Sequence, residues 1–316
     1  MRILVVGAGS IGGYFGARLM AAGRDVTFMV RARRAAQLRE MGLSVISPLG
    51  NLDLPAPPLV SAGSIEGVYD LIILSTKAYD LESSIEDFAG AMGKASHVLP
   101  LLNGLRHLDV LDARFGAQRV LGGVARISST LDADGRIHQL GTFNGLAFGS
   151  RRNTGIEAVA EALRVPGFEA SLSANILQEM WEKWVFVAAA AASTSLMRAT
   201  VGDIVAAGAQ EIPQRLLEES GAIAAANGFT PREAAINAGR SILTTPGSSF
   251  TASMLRDIES GARVEADHIV GDLLARAPQT LPTPLLATAY AHLRAYEARR
   301  TRTAPPHART RNKNAG

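Results

Sequence analysis

The sequence predicts an α/β domain built on a parallel sheet, followed by an all-α domain. Three observations carry this. The first half alternates short β-branched runs with helical patterns, as a parallel sheet flanked by helices requires. From Asn175 on, the chain is Ala-rich with helical spacing and almost no strand signal. A length of 316 residues also exceeds what one core normally supports, so two domains are expected. The boundary falls near Glu169–Asn175. This gives a first domain over 1–168, a second over 169–300 and a tail over 301–316.

Taken in order, the candidate strands are Ile3–Val6, Val26–Val30, Leu71–Ser75, Val98–Leu102, Val120–Ala125 and Leu146–Phe148. A helix opens near Ile11. In the second half, Trp181–Leu196 has helical spacing, with a possible start near Asn175. Glu211–Ala226 is a further helix, stopped by Asn227-Gly228. Thr230-Pro231-Arg232-Glu233 reads as a cap with Pro231 at the first helical position. Pro246-Gly247 is a break. A helical pattern then runs from Ser248 or Ser249 to about Ala277, with an interruption at Gly261. Pro282-Thr283-Pro284 precedes a last helix over Leu285–Arg299.

Composition excludes several classes of function. The chain is 47% hydrophobic and 19% charged, which is enough for a large core and excludes wholesale disorder. It has no cysteine, hence no disulfide, thiolate metal site or cysteine nucleophile. The net charge of +3 comes from the tail, where Arg302, Arg309, Arg311 and Lys313 meet no acid; without those four cations the body carries −1. A near-neutral body is no nucleic-acid footprint. The tail, with Pro305 and Pro306, reads as disordered. Ile3–Val6 runs straight into Gly7, too short for a signal-peptide core, and Trp184–Ala192 is far shorter than a membrane span. A cytoplasmic protein with no membrane partner is expected. The six histidines show no metal-ligand spacing, so no metal is expected. Asp132-Ala133-Asp134-Gly135 reads as a turn, not a calcium loop.

Gly7-Ala8-Gly9-Ser10-Ile11-Gly12 matches G-x-G-x-x-G between a strand and a helix. Gly7 permits the tight turn, Gly9 admits a pyrophosphate against the backbone, and Gly12 lets helix and strand pack closely. Amides at the helix start would hold the phosphate charge. The N-terminal half is therefore expected to be a Rossmann domain. The second strand ends in Arg31, with Arg33 and Arg34 beyond, where NAD enzymes place an acid. A guanidinium there suits the 2′-phosphate of NADP. The alternative is a solvated helix face.

The chain uses lysine only at Lys77, Lys94, Lys183 and Lys313. Arginine cannot donate a proton near neutral pH and lysine can, so a lysine in so Arg-rich a chain hints at that task. Lys77 follows the strand Leu71–Ser75; a plain surface role is the other reading. Lys183 lies in Trp181-Glu182-Lys183-Trp184-Val185-Phe186, where bulky apolar neighbours would desolvate it and favour its neutral form. Snorkelling at a helix start is the alternative. Trp181 and Trp184 read as packing, in the core or at a domain interface.

Taken together, the Gly-rich start, Arg31, Thr76-Lys77-Ala78-Tyr79, Asn103-Gly104, Trp181-x-Lys183, Ser253-Met254-Leu255-x-Asp257-Ile258 and Glu265 resemble ketopantoate reductases in order and spacing, over about Met1–Arg299. The resemblance implies NADPH-dependent reduction of a 2-oxoacid, ketopantoate to pantoate in pantothenate biosynthesis, and a homodimer through the helical domain. It implies Lys183 as proton donor and Asn103 as the bridge between cofactor and lysine. Ser253 becomes the carboxylate contact, Glu265 the acidic partner near the nicotinamide ribose, and Lys77 a cleft residue. The active site would lie between the two domains. One departure concerns the substrate. The family commonly carries asparagines one and two turns after the lysine; here these positions are Val187 and Ala191, and a further asparagine of some members falls at Val201. Thr194 returns to the face of Lys183, about 16 Å along a straight helix, and could offer a hydroxyl. A less hydroxylated 2-oxoacid is thus an alternative substrate. Two further alternatives are a dehydrogenase of phosphorylated or CoA-linked alcohols and a non-catalytic NADP sensor.

Overall fold

The computed structural model describes residues 1–152 and 155–303. The chain divides into two compact units, one over Met1–Met180 and one from Trp181 onward. The division falls later than the 168/169 boundary expected from sequence.

The first unit follows the order β1 (Arg2–Val6), α1 (Ser10–Ala21), β2 (Asp25–Met29), α2 (Ala32–Met41), β3 (Leu43–Ile46), β4 (Leu52–Leu54), β5 (Leu59–Val60), β6 (Tyr69–Leu74), α3 (Leu81–Phe88), β7 (Met92–Pro100), α4 (Arg106–Phe115), β8 (Gly122–Leu131), β9 (Ile137–Gly149), α5 (Glu157–Leu163) and β10 (Glu169–Leu172). Five strands form one parallel sheet in the order β5-β2-β1-β6-β7. β1 is flanked by β2 on one side and β6 on the other, so the strand order reverses beside it. In open α/β sheets that reversal is where ligands bind, beyond the strands' C-terminal ends. β1 is buried but for Arg2, which is what a central strand covered on both faces demands. The core of this unit joins Ile3, Val5, Phe15, Leu19, Phe28, Leu71, Ile73 and Leu99.

The expectation of a parallel sheet needs correcting for the rest of the unit. A second, mixed sheet runs β10-β9-β3-β4, with β8 antiparallel to β9 and β3 antiparallel to β4. The cause is the Asp132–Gly135 turn. Gly135 stands at φ +82°, its N–H donates to Asp132 O, and the Asp132 carboxylate accepts the Arg136 N–H at 2.8 Å. The chain thus reverses within a few residues, and adjoining strands can only pair antiparallel. Hydrogen bonds from His138 and Arg136 hold the Asp132 carboxyl far below the usual carboxylate range. β10 explains the later boundary: Glu169–Leu172 pairs parallel with β9 and so belongs to the first unit.

The helical part comprises α6 (Ile176–Met197), α7 (Val201–Ala206), α8 (Glu211–Ala226), α9 (Glu233–Leu243), α10 (Ser253–Glu259), a π turn at Asp267–Gly271, α11 (Asp272–Ala275) and α12 (Pro284–Thr303). In α6, Ala188 to Ala192 are all buried, and Ser193, Thr194 and Ser195 are buried with them. A helix apolar on every face is an enclosed one. Two expected starts move. Arg232, not Thr230, is the N-cap of α9, so Pro231 precedes the helix. The segment after Pro246 stays non-helical until Ser253, where Val201 and Gly202 N–H donate to Phe250 O and Ser248 O and hold it as a strap. One acidic residue sets a helix start: Glu219 accepts the N–H groups of both Leu285 and Leu286 at the head of α12. The last helix runs to Thr303, so Thr301–Thr303, expected in the tail, are helical. Residues 304–316, which hold Arg309, Arg311 and Lys313, lie outside the described residues. No described helix is long and apolar enough to cross a membrane.

Candidate functional site

Four hydrogen-bonded parallel strands deliver the expected cofactor residues to one edge. Val6 is paired with Met29 and Leu74, and Leu74 with Pro100, so β2, β1, β6 and β7 end level. Arg31, Gly7, Lys77 and Asn103 follow those ends in turn. At about 4.8 Å per strand the four ends span about 14 Å, a length suited to a dinucleotide.

The glycines act as their positions require. Gly7 has φ +94°. A Cβ on Gly12 would lie 2.0 Å from Ser75 Oγ and 2.2 Å from Gly7 O, so only glycine lets α1 approach the turn. A Cβ on Gly9 would meet nothing within 4 Å: the space above it is open. Gly9 is the N-cap of α1, and no side chain caps the helix. Ser10 and Ile11 begin its first turn, where amide N–H groups lack intrahelical partners. Ala8 is buried beneath. An uncapped helix start over open space is an anion site in waiting.

Two residues hold this turn: Ser75, which sequence reasoning did not single out, and Arg34, which it read only as a cation beyond Arg31. Ser75 Oγ donates toward Gly7 O at 2.9 Å and Val6 O at 3.1 Å. Arg34 Nε donates to Ala8 O at 3.0 Å and its Nη1 to Gln37 Oε1 at 2.6 Å. Burial lowers the Arg34 pKa, against the field of Asp132. A trans peptide points its C=O and N–H to opposite sides. Holding the Ala8 carbonyl therefore turns the Gly9 N–H outward. The signal for Arg34 was its place one helical turn after Arg31, and for Ser75 its place at a strand end beside the G-x-G-x-x-G turn.

The residues around the turn fit a phosphate-bearing cofactor. Besides the uncapped amides and the open space at Gly9, Arg34 Nη2 and Thr76 Oγ1 are buried without a hydrogen-bond partner among the described residues. Arg31 is exposed at the N-cap of α2. Its Nη2 is 2.9 Å from Asp80 Oδ1 and 3.4 Å from Ser83 Oγ, and the hydrogen bond to Asp80 raises its pKa. Lys77, half-buried, caps the short turn Ala78–Asp80 through its carbonyl. Asn103, half-buried, stands in the bend before α4, next to Gly104 at φ +76°.

The second unit carries the rest. Lys183 sits half-buried on α6 between Glu182 and Trp184. Glu182 accepts from Arg232 Nε at 2.8 Å and from its backbone N–H at 2.9 Å. Glu265 is buried at 7% exposure, and Ser253 is exposed at the first position of α10. Thr194 corrects an expectation. It is fully buried, its Oγ1 donates to Ala190 O at 2.7 Å, and it accepts the Ala252 N–H at 3.4 Å. A threonine inside a helix turns back onto the carbonyl four residues earlier. Its hydroxyl is committed to Ala190 O and to the N–H of the residue before Ser253. Among the described residues no group of three or more His, Asp or Glu stands where it could hold a metal ion.

Comparison with known proteins agrees across the length of the chain. Residues 3–153 match the family model for ketopantoate reductase PanE/ApbA, and residues 175–297 match its C-terminal model. An uncharacterized oxidoreductase, YkpB of Bacillus subtilis (strain 168), is 38% identical over 303 residues, covering 94% of this chain and 99% of that one. The crystal structure of a 2-dehydropantoate 2-reductase from Geobacter metallireducens GS-15 superposes with a TM-score of 0.85 at 28% identity, covering 93% of this chain and 99% of that one. A D-mandelate dehydrogenase solved with NADH and anilino(oxo)acetate shares the fold at a TM-score of 0.85 and 23% identity, covering 95% of this chain and 99% of that one. With both family models matched and the sheet, the turn and the helical half in place, the chain belongs to the ketopantoate reductase family of oxidoreductases.

Proposed function

We propose that this chain reduces a 2-oxoacid to a 2-hydroxy acid with NADPH, ketopantoate to pantoate in pantothenate biosynthesis being the leading reaction. The observation that carries the reading is the uncapped start of α1 beneath open space at Gly9, with Arg31 at the end of the neighbouring strand. Amides at that helix start would take the pyrophosphate of NADPH, and Arg31 its 2′-phosphate. When bound, the nicotinamide supplies the hydride.

The remaining work falls to side chains. Lys183 would donate the proton to the substrate oxygen from Nζ. Lys183 is half-buried on α6, and its amine, unlike a guanidinium, can give up a proton. Glu265 would be its acidic partner, Asn103 its link to the cofactor, Lys77 a further contact, and Ser253 the hydrogen-bond donor to the substrate carboxylate. The homodimer belongs to the same proposal, as does a cytoplasmic location.

A second substrate reading rests on a specific observation. Val187 is half-buried and Ala191 is 1% exposed, where amides would pair with a hydroxylated acid. An apolar lining suits a less hydroxylated 2-oxoacid. The likeness to a dehydrogenase solved with anilino(oxo)acetate is consistent with this. NADPH oxidation followed with a panel of 2-oxoacids, from ketopantoate to aryl and alkyl acids, separates the two. A micromolar KM for ketopantoate selects the first. A ketopantoate KM well above that of an apolar acid, lowered by Val187→Asn with Ala191→Asn, selects the second. Failure of every 2-oxoacid sinks both.

A further inference from the structure

The helix that carries Lys183 also grips the segment that carries Glu265. Trp184 is the next residue after the lysine and is 1% exposed. Its indole Nε1–H donates to Ile269 O at 2.8 Å. Ile269 lies inside the π turn Asp267–Gly271, and its own N–H donates to Glu265 O at 3.0 Å. Two hydrogen bonds therefore run in series from the neighbour of the lysine to the backbone of the glutamate.

The surroundings leave this link little play. The Trp184 ring lies 5.0 Å from that of Trp181, which stacks on Phe229 at 5.4 Å. The Arg276 guanidinium lies 5.5 Å from the Trp184 ring centre and pairs with Asp272 at 3.1 Å. On its other side the π turn meets α12: a Cβ on Gly271 would be 2.9 Å from the Tyr290 ring, and Tyr290 Oη donates to Asp267 Oδ1 at 2.8 Å. Glu297 accepts the Val264 N–H at 2.8 Å, just before Glu265. Of these ties, the indole bond is the one that comes from α6. A π turn widens the helical ladder by one residue and persists where side chains hold it.

We propose that Trp184 is a positioning residue: its indole N–H fixes the Glu265 segment in register with Lys183. This rests on the reading of Lys183 as proton donor and Glu265 as its partner. The role is specific to the indole N–H, since any large apolar side chain would fill the same space.

The test is Trp184→Phe, which keeps a ring and removes the donor. Hydrogen–deuterium exchange of residues 265–272 should quicken by about tenfold or more, with the rest of the chain unchanged. Steady-state kinetics should show kcat down about tenfold with the KM for NADPH unchanged, a split that general loosening would not give. Gly271→Ala, which pushes the π turn from the Tyr290 side with the indole intact, should reproduce the split, and it stands in if Trp184→Phe does not fold. Unchanged exchange over 265–272 overturns the proposal, as does quickened exchange with wild-type kcat. If the wild-type protein reduces no 2-oxoacid, the functional reading fails, while the exchange experiment still judges the Trp184 link.

Discussion

The two units place their polar groups by opposite means. Around Gly7–Gly12 the groups offered to a ligand are backbone amides, and side chains serve the backbone: Ser75 holds the Gly7 carbonyl and Arg34 the Ala8 carbonyl. Along α6 the candidate reacting group is a side chain, and neighbouring side chains grip the backbone of other segments. Trp184 holds Ile269 O, and Thr194 holds the Ala252 N–H. A site made of amides depends on absent atoms, because a single Cβ can close it. A site made of side chains depends on atoms present, because each loss leaves a partner unpaired. The first unit should therefore fail on small additions and the second on small deletions.

The largest effect expected is a deletion. Lys183→Ala should lower kcat by about 10²–10⁴-fold, the usual range for a general acid. Fluorescence titration should show NADPH bound as tightly as before. A variant with wild-type turnover would leave the helical unit without its chemical role. Next come two additions of one carbon. Gly12→Ala drives a Cβ into Ser75 Oγ and Gly7 O, and should cost about 1–3 kcal/mol of stability as well as cofactor binding. Gly9→Ala meets no protein atom within 4 Å, so its Tm should stay put while NADPH affinity falls at least tenfold. Equal Tm losses in the two variants would break the contrast, since the space over Gly9 would then be structural.

What could be read in the sequence follows the same division. The turn was legible because its chemistry is covalent geometry: Gly7 at φ +94° and Gly12 against Ser75 admit one residue type each. The parallel sheet was legible through the short apolar runs Ile3–Val6, Val26–Val30, Leu71–Ser75 and Val98–Leu102. β10 was not, since Glu169–Leu172 has no β-branched residue and is a strand only through its pairing with β9. The length of β8 and β9 was hidden for a related reason. Their ribbon is half-exposed and polar beyond the apolar stretches, and Phe143 lies 78% exposed upon it. In the second unit Lys183 was legible from its bulky apolar neighbours in sequence, while Ser253 and Glu265 came from resemblance. Helical spacing put Thr194 on the face of Lys183 but could not show that its hydroxyl closes on Ala190 O. The π turn had no sequence signal at all. Its contacts are with Trp184 and Tyr290, which are 85 and 19 residues from Ile269 and Gly271 respectively.

Cofactor choice sharpens the comparison, because there the first unit relies on a side chain. Arg31→Ala should raise the KM for NADPH more than tenfold and leave NADH nearly unchanged, as measured by initial rates with each cofactor. Equal losses for both would show that Arg31 does not read a 2′-phosphate.

The smallest effect expected concerns its partner. Asp80 Oδ1 lies 2.9 Å from Arg31 Nη2 in a pair whose arginine is 65% exposed. A 2′-phosphate approaching Arg31 would meet this carboxylate as a competitor and a like charge. An exposed pair contributes about 0–1 kcal/mol, so Asp80→Asn should tighten NADPH by up to about fivefold. The gain should shrink in 0.5 M salt, because exposed charges beyond about a Debye length are screened. NADH should be indifferent if Asp80 serves only to orient Arg31. The opposite outcome is equally clear. A carboxylate at this place could accept a ribose 2′-hydroxyl, as acids at the end of the second strand do in NAD enzymes. Asp80→Asn would then weaken NADH and leave NADPH alone. The Arg31–Asp80 pair would in that case be an NADH-reading site with its acid supplied from beyond β6 and its arginine as the orienting group, and the preference for NADPH would fall.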